Sequence, residues 1–290
     1  MKRWHTSCLL AASLFGALPA QAVIDPGSST TGWTSIAYPN LQPDYSDDQQ
    51  TGITEADIVG DLFNAALYMR FDDNGNADPS DDQIAFRVRL GTDKNPLGFE
   101  HFFGVGLDAN LDGALDLFLA VDNSGSNDRI GIFDPGSGAN TSPSTTSIVS
   151  TPLVSYAEVA ANYLFAPVTA ALDPIATTFD LDADGKTDQF LTFVIDFADI
   201  VSQLGISGFG PSSPVRFVAG SSTQPNALNQ DLGGPNGATT SALTWDQLGA
   251  ISSTYTMSGQ FVPAPEPGSA VLLMAGLGVL GLVRRRRASS

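Results

Sequence analysis

Two nine-residue stretches carry the densest oxygen-bearing chemistry in this sequence. The first is Asp108-Ala109-Asn110-Leu111-Asp112-Gly113-Ala114-Leu115-Asp116. The second is Asp180-Leu181-Asp182-Ala183-Asp184-Gly185-Lys186-Thr187-Asp188. Both read D-x-[DN]-x-D-G-x-x-D. Side-chain oxygens at loop positions 1, 3 and 5 can converge on one hard cation, and glycine at position 6 permits the sharp turn. A backbone carbonyl at position 7 adds a ligand and position 9 adds a carboxylate. The expected calcium ligands are Asp108, Asn110, Asp112, the Ala114 carbonyl and Asp116 in one loop. In the other they are Asp180, Asp182, Asp184, the Lys186 carbonyl and Asp188.

An EF-hand would need Glu at position 12, where Leu119 and Leu191 stand. The flanks instead alternate with a period of two, which reads as strand: His101 to Leu107 and Leu115 to Val121 around the first loop, Ile175 to Phe179 and Phe190 to Phe197 around the second. Each loop is thus expected at the tip of a β-hairpin. A third, irregular acidic stretch, Asp72-Asp73-Asn74-Gly75-Asn76-Ala77-Asp78 with Asp81 and Asp82, lies between the strand-like runs Ala66 to Phe71 and Ile84 to Leu90. The two regular loops resemble the calcium-binding hairpin loops of FG-GAP-type repeats and, more distantly, dockerin loops. That resemblance implies a calcium site and not a propeller, since a period of about 40–50 residues is absent.

Composition supports a cation-binding surface. Of the 31 acidic residues 27 are Asp and only four are Glu. The short Asp side chain suits loops and turns. From Val23 to Pro265, 30 acidic residues stand against seven basic ones, a net charge of −23. Such a surface repels nucleic acid and anionic lipid. The one cysteine, Cys8, lies near the N-terminus, so packing or bound ions must supply what disulfides supply elsewhere.

Catalytic signals are sparse. Between Val23 and Pro265 there is one histidine, His101, and no cysteine, which removes His-cluster zinc sites and Cys–His nucleophiles. His101 sits in an apolar strand-like run and reads as structural. Trp33 and Trp245 are expected to cap a sandwich core. The chain is therefore expected not to be an enzyme.

The strands must position these loops. Many short alternating segments with Gly, Pro, Ser and Asn between them imply an all-β, antiparallel β-sandwich or jelly-roll-like domain. Ile84/Phe86/Val88/Leu90 against Arg87/Arg89 predicts a sheet with one wet face. Short helices are expected at 55–63, 156–165 and 197–204, and surface loops at 135–152 and 221–238.

The ends carry addresses. Lys2 and Arg3, the apolar run Cys8 to Leu18 and the small residues Ala20-Gln21-Ala22 make a secretory signal over 1–22. Ala270 to Val283 is 14 residues without a charge, followed by Arg284, Arg285, Arg286 and Arg287. A helix of that length spans roughly 21 Å against a bilayer core of about 30 Å, a marginal anchor. The arginines place its far end in the cytoplasm. Pro265-Glu266-Pro267, the apolar run and the arginine cluster together, from Val262 to Arg287, resemble the PEP-CTERM sorting signal. Ala264 stands where that family commonly has Val.

The resemblance implies an exosortase-like membrane protease as partner, transient anchoring in the inner membrane, and delivery to the cell surface or outside the cell. Three parts follow: signal peptide 1–22, a β-rich calcium-binding ectodomain 23–261, and a sorting tail 262–290 with a single hydrophobic helix over 269–283. The favoured reading is an exported surface or extracellular-matrix protein, calcium-stabilised and associated with extracellular polysaccharide. The alternative is a secreted glycan-active hydrolase using a carboxylate pair.

Overall fold

The computed structural model describes residues 24–38, 44, 46–93, 98–237 and 239–263. The expected signal peptide 1–22 and the tail from residue 264, including Pro265, Glu266, Pro267, the expected helix 269–283 and Arg284 to Arg287, lie outside the described residues. Among those described, no helix is long and apolar enough to cross a membrane.

Among the described residues, twelve strands form two antiparallel sheets. One runs β1 (Thr34–Ser35), β2 (Leu67–Asp72), β3 (Gln83–Leu90), β9 (Gln189–Asp196), β8 (Tyr163–Pro167) in spatial order. The other runs β11 (Asp231–Leu232), β10 (Pro214–Ser222), β4 (Phe102–Asp108), β5 (Leu117–Asp122), β6 (Arg129–Phe133), β7 (Val154–Ala157), with β12 (Tyr255–Thr256) also on β10. Their inner faces share one core. Phe86 of β3 meets Phe217 of β10 edge-on at 5.5 Å between ring centres, and Phe103 of β4 meets Phe193 of β9 at 6.4 Å. The all-β sandwich expected from the alternation is present.

The wet face is not. Arg87 and Arg89 of β3 are fully buried. The N-terminal segment and the β8–β9 connection cover the outer face of that sheet, packing Ile24, Trp33 and Val168 on Tyr68, Phe190 and Val194. Arg87 donates there from Nε and Nη2 to Thr192 Oγ1 and the Pro26 and Ser28 carbonyls, and it lies 4.4 Å from the centre of the Trp33 ring. The outer face of the second sheet is covered likewise. Ile148, Leu228, Trp245, Ala250 and Ile251 pack on Phe102, Phe118 and Phe133. The segments 135–152 and 221–238 are therefore a cover and not merely surface loops. Trp245 donates Nε1–H to the Asn140 carbonyl at 2.8 Å.

Of the three expected helices one forms as expected, α1 (Phe197–Leu204), closed by Gly205 in the left-handed region at φ 61. The stretch 55–63 gives only a 3-10 turn, Thr54–Ala56. Beyond it β-branched Ile58 and Val59 run extended beside the end of β3, with Val59 N–H donating to the Arg89 carbonyl. The Asp61 side chain then turns the chain by accepting from the backbones of Phe63 and Asn64. The stretch 156–165 becomes the end of β7, a turn and the start of β8. Both flanks hydrogen-bond to neighbouring strands, and that pairing overrides helix propensity.

Candidate metal centre

The first loop joins β4 to β5 as a hairpin tip, as its flanks imply. The irregular stretch Asp72 to Asp82 joins β2 to β3 in the same way. The second loop differs. Ile175 to Phe179 is not a strand, and β9 pairs instead with β8 and β3. Among the described residues the ladder contact kept is Asp188 N–H to the Phe179 carbonyl at 2.8 Å. The loop closes a long β8–β9 connection.

The two regular loops nevertheless fold alike. Position 1 accepts from the backbone N–H of position 6: Gly113 to Asp108 at 3.2 Å, Gly185 to Asp180 at 3.1 Å. Position 3 accepts from position 5: Asp112 to Asn110 at 2.9 Å, Asp184 to Asp182 at 3.2 Å. Position 5 accepts from position 7: Ala114 to Asp112 at 2.9 Å, Lys186 to Asp184 at 2.7 Å. Position 9 accepts from position 2: Ala109 to Asp116 at 2.7 Å, Leu181 to Asp188 at 3.2 Å. Leu111 and Ala183, both at position 4, are forced to positive φ, 63 and 57. The shared residue pattern thus encodes one backbone turn.

They differ in how many carboxylates converge. In the second loop Asp180, Asp182 and Asp188 offer oxygens all within 4.8 Å of one another. Asp184 faces outward, where Lys186 Nζ lies at 3.3 Å. Burial lifts Asp182 and Asp188 to about 6 from an ordinary value of 3.8. Arg89 opposes this at Asp188, donating Nε–H at 2.7 Å while its Nη2–H reaches the Thr178 carbonyl. In the first loop, Asp108, Asp112 and Asp116 are not among the three-carboxylate groups found in the described residues. Arg216 of β10 grips Asp108 Oδ2 at 3.0 and 2.5 Å and extends to Asp246. Asp108 Oδ1 is buried without a hydrogen-bond partner among the described residues. Burial still raises Asp108 and Asp116. Asn110 and Asp112 lie on the exposed side of the turn. In the irregular stretch the Asn74 side-chain amide donates to the Asp81 carbonyl and that of Asn76 to the Asp81 carboxylate.

Two further groups draw on residues far apart in the chain. Asp44, Asp48 and Asp231 form one, and Asp47, Asp57 and Asp182 the other, each with oxygens within 4.8 Å. Asp57 and Asp231 are fully buried. Burial, reinforced by Asp48, Asp47 and Asp182, pushes Asp57 up to about 7, against the Asp47 backbone N–H. Burial and then Asp48 raise Asp231 well above the usual carboxylate range. Apart from Asp182, neither local pattern nor periodicity marks these residues, because their partners are set by tertiary contact.

The fold and these groups define an acidic all-β sandwich with aspartate-rich loops. The PEP-CTERM protein-sorting motif matches residues 263–287. The chain thereby carries the signal of an exported protein sorted by exosortase, a membrane protease, with the C-terminal segment as its transient membrane anchor. Comparison with curated proteins and with solved structures finds no significant match.

Proposed function

We propose that this exported protein serves at the cell surface or in the extracellular matrix as a calcium-stabilised, non-enzymatic domain associated with extracellular polysaccharide. One observation carries the calcium reading: Asp180, Asp182 and Asp188 bring three carboxylate oxygens within 4.8 Å of one another in a preformed turn. Like charges so placed repel unless protonated or bridged, and Ca²⁺ takes such oxygens in flexible geometry. The first loop shares the turn, with Asp108, Asn110, Asp112, the Ala114 carbonyl and Asp116 as its donors. Asp184, once turned in from its contact with Lys186, and the Lys186 carbonyl complete the second set. Sites of about 10⁻⁴–10⁻³ M suit an extracellular module. The tail, once inserted, would hold its arginines in the cytoplasm until the sorting protease releases the domain.

Thermal melting of the purified protein in excess Ca²⁺ and in EDTA tests this. Calcium should raise the melting temperature and Mg²⁺ should do so poorly. Asp180→Asn should remove part of the shift, while Asp128→Asn, on an exposed turn, should not. Melting indifferent to Ca²⁺ in the wild type would defeat the proposal.

A second reading, glycan hydrolysis, is favoured by a different place. A cleft of about 670 Å³ is lined by Glu100, Asp128 and Glu158 beside Phe99, Tyr163 and Phe165. Burial lifts Glu158 to about 7, a value suited to a general acid. His101 is not part of this lining; it lies 3.9 Å from Glu55. Glycan binding and reducing-end release, measured with and without Ca²⁺, separate the two readings. Hydrolysis abolished by Glu158→Gln would establish the second.

A further inference from the structure

The second loop does not end at its own carboxylates. Asp182 belongs to two groups at once, with Asp180 and Asp188 in one and Asp47 and Asp57 in the other. The second group is assembled by the chain just before β2. The 3-10 turn Thr54–Ala56 delivers Asp57. The Asp47 backbone N–H donates to Asp57 Oδ2 at 2.9 Å, which folds the start of the segment over its end. The Asp57 carbonyl in turn accepts from Gly91 N–H at 2.9 Å, fixing the segment to the end of β3.

Oxygens converge over the bare Cα of Gly91. A Cβ there would lie 2.8 Å from Asp182 Oδ2, 3.1 Å from the Thr54 carbonyl oxygen and 3.5 Å from Asp57 Oδ2. Asp57 is fully buried, and its Oδ1 has no hydrogen-bond partner among the described residues. Asp182 is 8% exposed, and its Oδ2, directed into this space, is also unpartnered there. No ion pair is made by Asp47, Asp57 or Asp182 among the described residues. An ionised carboxylate buried without a cation is costly, and a hard divalent ion fits a site made only of oxygens.

We propose that Asp47, Asp57 and Asp182, with the Thr54 carbonyl, form a second divalent-cation site that shares Asp182 with the loop site. Asp182 then bridges two ions, one through each side of its carboxylate. The second ion staples residues 47–57 to the 180–188 loop, joining parts of the chain more than a hundred residues apart. Water completes the six to eight oxygens that Ca²⁺ takes. The proposal rests on the calcium reading for the shared loop, but Asp47, Asp57 and the Thr54 carbonyl belong to the second site alone, so the two can fail separately.

Bound Ca²⁺ counted by equilibrium dialysis at saturation is the test, on the full-length protein and its variants. Asp57→Asn should lose one ion relative to wild type, Asp180→Asn should lose one, and Asp182→Asn should lose two. Asp47→Asn changes an exposed residue and tests the site without disturbing the core; one class of bound ion should weaken about tenfold. Gly91→Ala, which places a methyl among the oxygens without removing a charge, should also lose one ion. Wild-type counts in Asp57→Asn and Gly91→Ala, with unchanged affinity in Asp47→Asn, would overturn this inference and leave the loop site standing. Loss in Asp57→Asn but not in Asp180→Asn would uphold it and remove the loop site instead.

Discussion

Calcium affinity at the second loop should depend steeply on pH, and the structure sets by how much. Asp182 and Asp188 are raised to about 6 by burial. A carboxylate must be ionised to ligate, so affinity is lost as pH falls through that value. Between pH 7 and pH 5 each group goes from about nine-tenths to about one-tenth ionised, a factor of about ten in apparent affinity apiece. Together they make the dissociation constant about a hundredfold larger at pH 5, equivalent to ~2.7 kcal/mol. Carboxylates at the ordinary 3.8 would change little over that range. Near pH 6 both are half protonated, so binding one ion should release about one proton. Isothermal titration calorimetry at pH 7, 6 and 5, repeated in buffers of different ionisation enthalpy, measures both quantities. In the metal-free protein the sign reverses. The folded state holds these protons more tightly than the unfolded chain does, so their stabilisation is fullest below about pH 4 and is lost as pH rises through about 6. Affinity that changes less than about threefold from pH 7 to pH 5, with no proton released at pH 6, would refute the assignment of these two carboxylates as ligands.

Arg89→Met should destabilise the fold severely. The guanidinium and Asp188 are both fully buried at 2.7 Å, and stranding a buried carboxylate costs about 3–5 kcal/mol, a fall of roughly 6–20 °C in melting temperature by calorimetry. Arg216→Gln removes the cation that grips Asp108; it should lower the melting temperature in EDTA and enlarge the rise on adding Ca²⁺, and an unchanged rise would mean that the first loop takes no ion. Replacing Pro265-Glu266-Pro267 with alanines should block sorting and leave the exported protein in the membrane fraction; C-terminal mass spectrometry of the released and retained forms reads the outcome.

What the sequence determined by itself was local. The D-x-[DN]-x-D-G-x-x-D spacing encodes four hydrogen bonds between residues two to seven apart, with a left-handed residue at position 4 and glycine at position 6. The same turn therefore forms on a β4–β5 hairpin and at the end of an irregular connection. Period-two alternation marked β3, β4, β5 and β9, and the short amphipathic run 197–204 marked α1, since Gly205 closes it. The sorting signal was legible because it is a contiguous, ordered pattern. Tertiary structure decided everything that depends on what covers a surface. Arg87 and Arg89 alternate as solvent-facing residues do, yet segments distant in sequence bury them, and carbonyls, Thr192 and Asp188 accept from them. Arg216 lies 108 residues from the carboxylate it grips. Asp57 stands in no motif, and it becomes a candidate ligand only because the end of β3 and the 180–188 loop meet over Gly91. Burial and approach across the sandwich are long-range, so no window of sequence contains them.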